Sequence, residues 1–149
     1  MIEIKETQRH RKYFTHQMSG NAMFPPFLDG YIQIDKDMPH NYDDKFYDQF
    51  NFWCGPTFIG VIYPSVIRYG ERLIMAPKPD FENLQKEYTL QDCFDFIKPS
   101  YLNEIKKLTD GQAYFWIVGF DDNHVERFGD ENVVRDTKRI ADEMDMVAK

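Results

Sequence analysis

An α+β fold, mainly an antiparallel sheet with two or three packed helices, follows from three features of the sequence. The first half carries short β-branched and aromatic runs separated by Gly, Pro and Asn turn signals. The second half shows helical spacing between recognisable start and stop residues, and the stretch after residue 130 has the periodicity of an amphipathic helix. Strands first and helices later, without strict alternation, separate α+β from α/β. The 149 residues suit one domain spanning 1–149, because a chain of this length buries about two-thirds of its unfolded surface. No repeat, low-complexity tract or Gly/Ser linker divides it.

Ile2–Ile4 and Lys12–Gln17 are expected as short strands, the second running into a Ser19-Gly20-Asn21 turn. Pro25-Pro26 forces extended backbone ahead of Tyr31–Asp35, whose alternation suits a half-buried strand. A short helix is expected from about Asp43, with Phe46, Tyr47 and Phe50 on one face. Thr57–Tyr63, broken by Pro64, then Ser65–Tyr69 and Arg72–Ala76 extend the strands around Gly70. Thr89 and Ser100 can cap two helices, the first ended by Pro99 and the second by Gly111. Ala113–Phe120 is the strongest strand in the chain, and Asp121-Asp122-Asn123 turns it into His124–Phe128. The last helix starts near Glu131 behind Asp130, with Val133, Ile140, Ala141, Met144 and Val147 inward; Lys138–Asp142 and Arg139–Glu143 are i,i+4 pairs outside.

Composition narrows the function classes. With 42% hydrophobic and 29% charged residues the chain is globular. No run approaches the ~18 apolar residues of a membrane span, and charges occupy the N-terminal positions where a signal peptide has its apolar core. Two cysteines do not make a disulfide framework, so no membrane partner and a cytoplasmic location are expected. A net charge of −7 disfavours nucleic acid, whose phosphates demand a basic footprint, and favours a basic protein partner. The exception is Arg9-His10-Arg11-Lys12, read as a solvated strand edge whose charge blocks unwanted pairing.

Chemical motifs are incomplete. Trp53-Cys54-Gly55-Pro56-Thr57 resembles the thioredoxin active-site motif with its second cysteine replaced by Thr57. That family's first cysteine opens a helix that lowers the thiol pKa. Here a strand follows and no resolving cysteine is present, so a buried thiol beside a Gly-Pro turn is expected instead. Asp121, Asp122 and His124 crowd one turn, and His40 precedes Asp43 and Asp44, but loop acids of this kind are ordinarily turn formers. No nucleophile elbow, phosphate loop or dinucleotide fingerprint occurs. No catalytic residue, metal or cofactor is therefore assigned.

What remains is an acidic, aromatic segment over 35–50 together with the turn at 121–122. Asp35, Asp37, Tyr42, Asp43, Asp44, Tyr47, Asp48, Asp121 and Asp122 are the candidate partner-binding residues. Stiff aromatics anchor interfaces, and carboxylates imitate phosphates before a basic active site. The competing reading makes Phe46, Tyr47 and Phe50 core and the acids their wet face. The function expected is non-catalytic inhibition of a basic partner, a nuclease toxin above all, in the manner of an immunity protein or antitoxin. A phage-encoded inhibitor of a host defence protein has the same physics. The alternatives are a small-molecule-binding domain or divergent enzyme with an aromatic-lined pocket, and a homo-oligomeric structural protein.

Overall fold

The computed structural model describes residues 3–18, 25–64, 73–87, 114–124 and 126–148. The fold is α+β, with strands β1 (Lys5–Glu6), β2 (Lys12–Met18), β3 (Phe27–Gln33), β4 (Phe58–Pro64), β5 (Leu73–Pro77) and β6 (Phe115–Asp121). A 3-10 helix covers Lys45–Phe50, and the α-helices described are α1 (Lys78–Glu87) and α2 (Asp130–Val147). The chain forms two compact units, one of Ile2–Ile59 with Ile117–Lys149 and one of Gly60–Trp116.

In the larger unit the strands lie in the order β1-β2-β3-β6, each ladder antiparallel. The start of β4 follows β6, announced by the Thr57 N–H donating to the Gly119 carbonyl at 2.9 Å. Register fixes which side chains share a face, because residues directly opposite in an antiparallel pair point the same way. Tyr13, Ile32 and Val118 form one row and Thr15, Gly30 and Phe120 another on the same face; Phe14, Tyr31 and Gly119 lie on the opposite face. Helix α2 packs on the first of these faces. At Gly30 an added Cβ would meet Thr137 Oγ1 at 2.2 Å and the Phe120 ring at 2.5 Å, so only glycine admits the helix this closely. Val133, Thr137, Ile140, Ala141 and Met144 line the buried side of α2. Each fully buried aliphatic side chain among them contributes roughly 1.5–3 kcal/mol. Gly119 does the same work on the other face, where the Tyr31 ring sits 2.6 Å from the position a Cβ would take.

The smaller unit joins the rest of β4 to β5, with Val61 opposite Ala76 and Tyr63 opposite Ile74. Val61 and Tyr63, two apart and so on one face, pack with Ala76 and Phe81 of α1, with Tyr114 and Trp116 partly buried against them. The Phe81 ring lies 4.7 Å from Tyr114, tilted against it, and 5.7 Å from Trp116, edge to face, a three-ring cluster at the apolar centre of this unit.

Several sequence expectations hold: β2, β4, β5, β6 and the C-terminal helix occur where the patterning places them, and both outer pairs of α2 form, at 2.8 Å for Lys138–Asp142 and 2.9 Å for Arg139–Glu143. Others shift. The first strand is Lys5–Glu6 instead of Ile2–Ile4, and β3 begins at Phe27, four residues before Tyr31, and ends at Gln33. Helix α1 was not expected, although Pro79 and Asp80 in its first turn are start signals. Among the described residues 126–128 are not a strand; there the Trp53 ring stacks on Phe128 at 4.5 Å. Val147, expected inward, is exposed at the last residue of α2. Helix α2 follows Gly129 at φ 97° without a side-chain cap; Asp130 is its first residue. The Ser19–Asn21 turn, the Ser65–Tyr69 strand and the helices expected after Thr89 and Ser100 lie outside the described residues.

Candidate functional site

The acidic segment is held by its aromatics. Asp44 caps the 3-10 helix by accepting the Phe46 N–H at 2.8 Å, and Asn51 ends it in the left-handed conformation at φ 52°. Tyr47 and Phe50 are fully buried, and a run of edge-to-face rings passes from Phe46 through Phe50 and Phe52 to Phe120 on β6. The Tyr47 hydroxyl donates to the Pro39 carbonyl, closing the loop on itself, and burial holds its pKa well above the ordinary phenol value. Arg139 of α2 reaches the carbonyls of Phe50 and Asn51 at 3.0 and 3.1 Å, neutralising the open end of the 3-10 helix.

The nine candidate partner-binding residues therefore separate. Asp37, Tyr42, Asp43, Asp44 and Asp48 are exposed on this anchored segment. Tyr47 is core. Asp35 is half-buried and committed to Arg11, at 2.9 and 3.2 Å. Asp122 is buried and accepts the N–H groups of Phe128 and Gly129 at 2.6 and 3.0 Å, which ties the approach to α2 and leaves it nothing to offer a partner. Asp121 stays half-exposed, accepting from Thr57 Oγ1 at 2.9 Å and facing His124 Nε2 at 3.3 Å.

The basic string is a solvated edge only at Arg9 and His10, which are exposed. Arg11 and Lys12 are both buried. Arg11 donates to Asp145 at 2.8 Å, to the Gln33 carbonyl at 2.8 Å and to both oxygens of Asp35, so its guanidinium is clamped between β3 and the end of α2. Lys12 Nζ lies 3.5 Å from a Glu6 carboxylate oxygen. Arg9 donates to the Asp145 carbonyl, and with Glu6, Thr7, Gln8, Lys138, Asp142 and Met146 it borders a surface hollow of about 490 Å³. On its rim Lys138 pairs with Asp142 at 2.8 Å.

A second constellation, absent from the sequence reading, lies at the other end of the same strands. The register places His16 opposite Asp29 and Asp29 opposite Asp121, a row of three titratable side chains across β2, β3 and β6 on one face. Tyr31, two residues along β3, donates its hydroxyl to Asp29 Oδ2 at 2.9 Å, and His124 completes the group beside Asp121. Asp29 is 7% exposed. Burial, and next the neighbouring Asp121 charge, push its pKa up to about 6 against the lowering effect of the Tyr31 hydrogen bond. Burial and the Asp29 carboxylate hold the Tyr31 phenol well above its usual range. Asp29 Oδ1 and His16 Nδ1 are both buried without a hydrogen-bond partner. Among the described residues no three His, Cys, Asp or Glu side chains converge to hold a metal ion.

Cys54 is exposed, with its backbone at φ 55° next to Gly55 at φ 81°. The thiol is thus not buried, and strand β4 follows where thioredoxin has its helix. No family model matches the chain, and neither a curated protein nor a solved structure matches it. The residues themselves carry the functional argument.

Proposed function

We propose that the chain is a non-catalytic inhibitor of a basic protein partner, of the immunity-protein or antitoxin kind, acting in the cytoplasm on a nuclease above all. The observation that supports this reading is the anchored acidic segment: Asp37, Asp43, Asp44 and Asp48 with Tyr42 are exposed on a backbone stapled by buried Tyr47 and Phe50. Preorganised carboxylates lose little conformational freedom on docking, and their field accelerates encounter with Lys- and Arg-rich surfaces. Among the described residues no helix is long and apolar enough to cross a membrane.

Affinity capture of the tagged protein from native lysate, washed at low and then moderate salt, tests the reading. A single stoichiometric basic protein released by salt is the expected result. The contact is then placed with Asp43→Lys and Asp48→Lys together, which should slow association and flatten its salt dependence. Unchanged association rules this segment out. Asp44 is a poor choice for that test, because it caps the 3-10 helix and its loss confuses binding with folding.

A further inference from the structure

We propose that Asp29 and Asp121 form a proton-operated latch on one end of the sheet: a neutral Asp29 lets the last rung between β3 and β6 close, and its ionisation sets two carboxylates against each other there. The two residues are the terminal rung of that ladder and stand directly opposite. Gly119 turns its carbonyl to the Thr57 N–H, on the side away from β3, so Asp121, two residues on, turns its backbone the same way. The Asp29–Asp121 rung is therefore a non-hydrogen-bonded one, in which opposed side chains stand closest and no backbone bond offsets their repulsion. No Lys or Arg among the described residues forms an ion pair with either carboxylate; Asp121 faces His124 alone.

A proton needs no added room. Asp29 Oδ2 lies 2.9 Å from the Tyr31 hydroxyl, which donates to the carboxylate and, by rotating, accepts from the acid. Ionised, Asp29 keeps a charge whose second oxygen, Oδ1, is buried and without a hydrogen-bond partner. Among the described residues the groups that face Asp29 are His16 from β2, Tyr31 from β3, Asp121 from β6 and, beyond it, His124. The rise of its pKa to about 6, caused by burial and then by the Asp121 charge against the Tyr31 bond, agrees with this geometry. The rung also carries the Thr57 hydroxyl, which donates to Asp121 at 2.9 Å, so opening it releases the segment that leads into β4. Acidification fastens this end of the sheet and a rise through about pH 6 loosens it.

The test is by NMR: the side-chain carboxyl carbon of Asp29 is titrated, and exchange protection factors of the Gly30 and Phe120 amides, on the adjacent hydrogen-bonded rung, are compared at pH 5 and pH 7.5. Asp29 should titrate near 6. Protection at both amides should fall about two- to fivefold on going to pH 7.5, and should stay level in Asp29→Asn. Asp121→Asn should lower the Asp29 midpoint and reduce the fall. A midpoint near the ordinary 3.8 overturns the proposal. So does protection in the unaltered protein that is the same at both pH values, and so does an equal fall in Asp29→Asn, which would assign the effect to His16 or His124.

Discussion

Arg11 and Asp29 are two buried charges at opposite ends of the same pair of strands, and the sheet treats them in opposite ways. Four of the five N–H groups of the Arg11 guanidinium donate to oxygens of Asp145, Gln33 and Asp35. Asp29 has one oxygen satisfied and one left open. A buried ion bonded through four of its five N–H groups is a fastener, holding the start of β2 to β3 and to the end of α2. A buried ion left half-bonded costs stability. The lesson of the pair is that burial alone does not decide what a buried charge does to stability; the count of filled hydrogen-bond positions does.

The contrast is broken most forcefully at Arg11. Arg11→Ala leaves Asp35 and Asp145 without their partner and should destabilise by about 3–5 kcal/mol in a denaturant titration. A loss under 1 kcal/mol would show that the clamp fastens nothing. Next comes the anchored acidic turn, where Tyr47→Phe removes the donor to the Pro39 carbonyl and should cost about 1–2 kcal/mol by the same measurement. An unchanged midpoint would mean that water serves Pro39 equally well.

Asp29→Asn should act in the other direction. The folded-state pKa lies near 6, above the ordinary 3.8, so between those values the native state holds a proton that the unfolded chain has released. The contribution of Asp29 to stability is therefore greatest below about pH 4 and is lost as pH rises through about 6. The amide escapes this penalty, so Asp29→Asn should stabilise the protein at pH 7.5 by on the order of 1 kcal/mol, allowing for solvent reach through Asp121, and by nothing near pH 4. Melting temperatures at the two pH values decide it, and a gain that is equal at both would refute the linkage. The smallest effect is expected for Asp43→Lys with Asp48→Lys, which should leave stability within about 0.5 kcal/mol. A larger loss in a thermal melt would make those acids structural.

Much of the fold could be read from local pattern, and the exceptions have physical reasons. Strand β6 and helix α2 carry strong periodicity over seven and 18 residues, and each was placed within two residues of its bounds. The start of β3 was concealed because Asp29-Gly30 reads locally as a turn, whereas here glycine is demanded by a side chain from α2, more than a hundred residues away. Arg11 looked solvated for a related reason: its partners, Asp35 and Asp145, come from remote parts of the chain, and no local window contains them. The candidate sites divide the same way. The exposed acids of 37–48 were visible as a cluster, while the row at Asp29 exists only through strand register, which brings together residues 16, 29 and 121. Asp121 was noticed for its turn, but the row to which it belongs was not.

The two glycines of β3 and β6 impose a further condition on how this chain reaches its fold. Tyr31 lies over Gly119 on one face, and Phe120 lies over Gly30 on the other, so adjacent rungs of one ladder each match a ring with a missing side chain in opposite senses. Sliding β6 by a single residue would send every side chain to the wrong face, and sliding it by two would set both rings against residues that have a Cβ. The strands that must find this alignment are separated by some eighty residues of chain, an encounter with a high entropic cost and many near-misses. The ring-and-gap pairs act as a two-pin key: a misaligned encounter cannot close, so the register is specified by packing as well as by the face each residue must occupy.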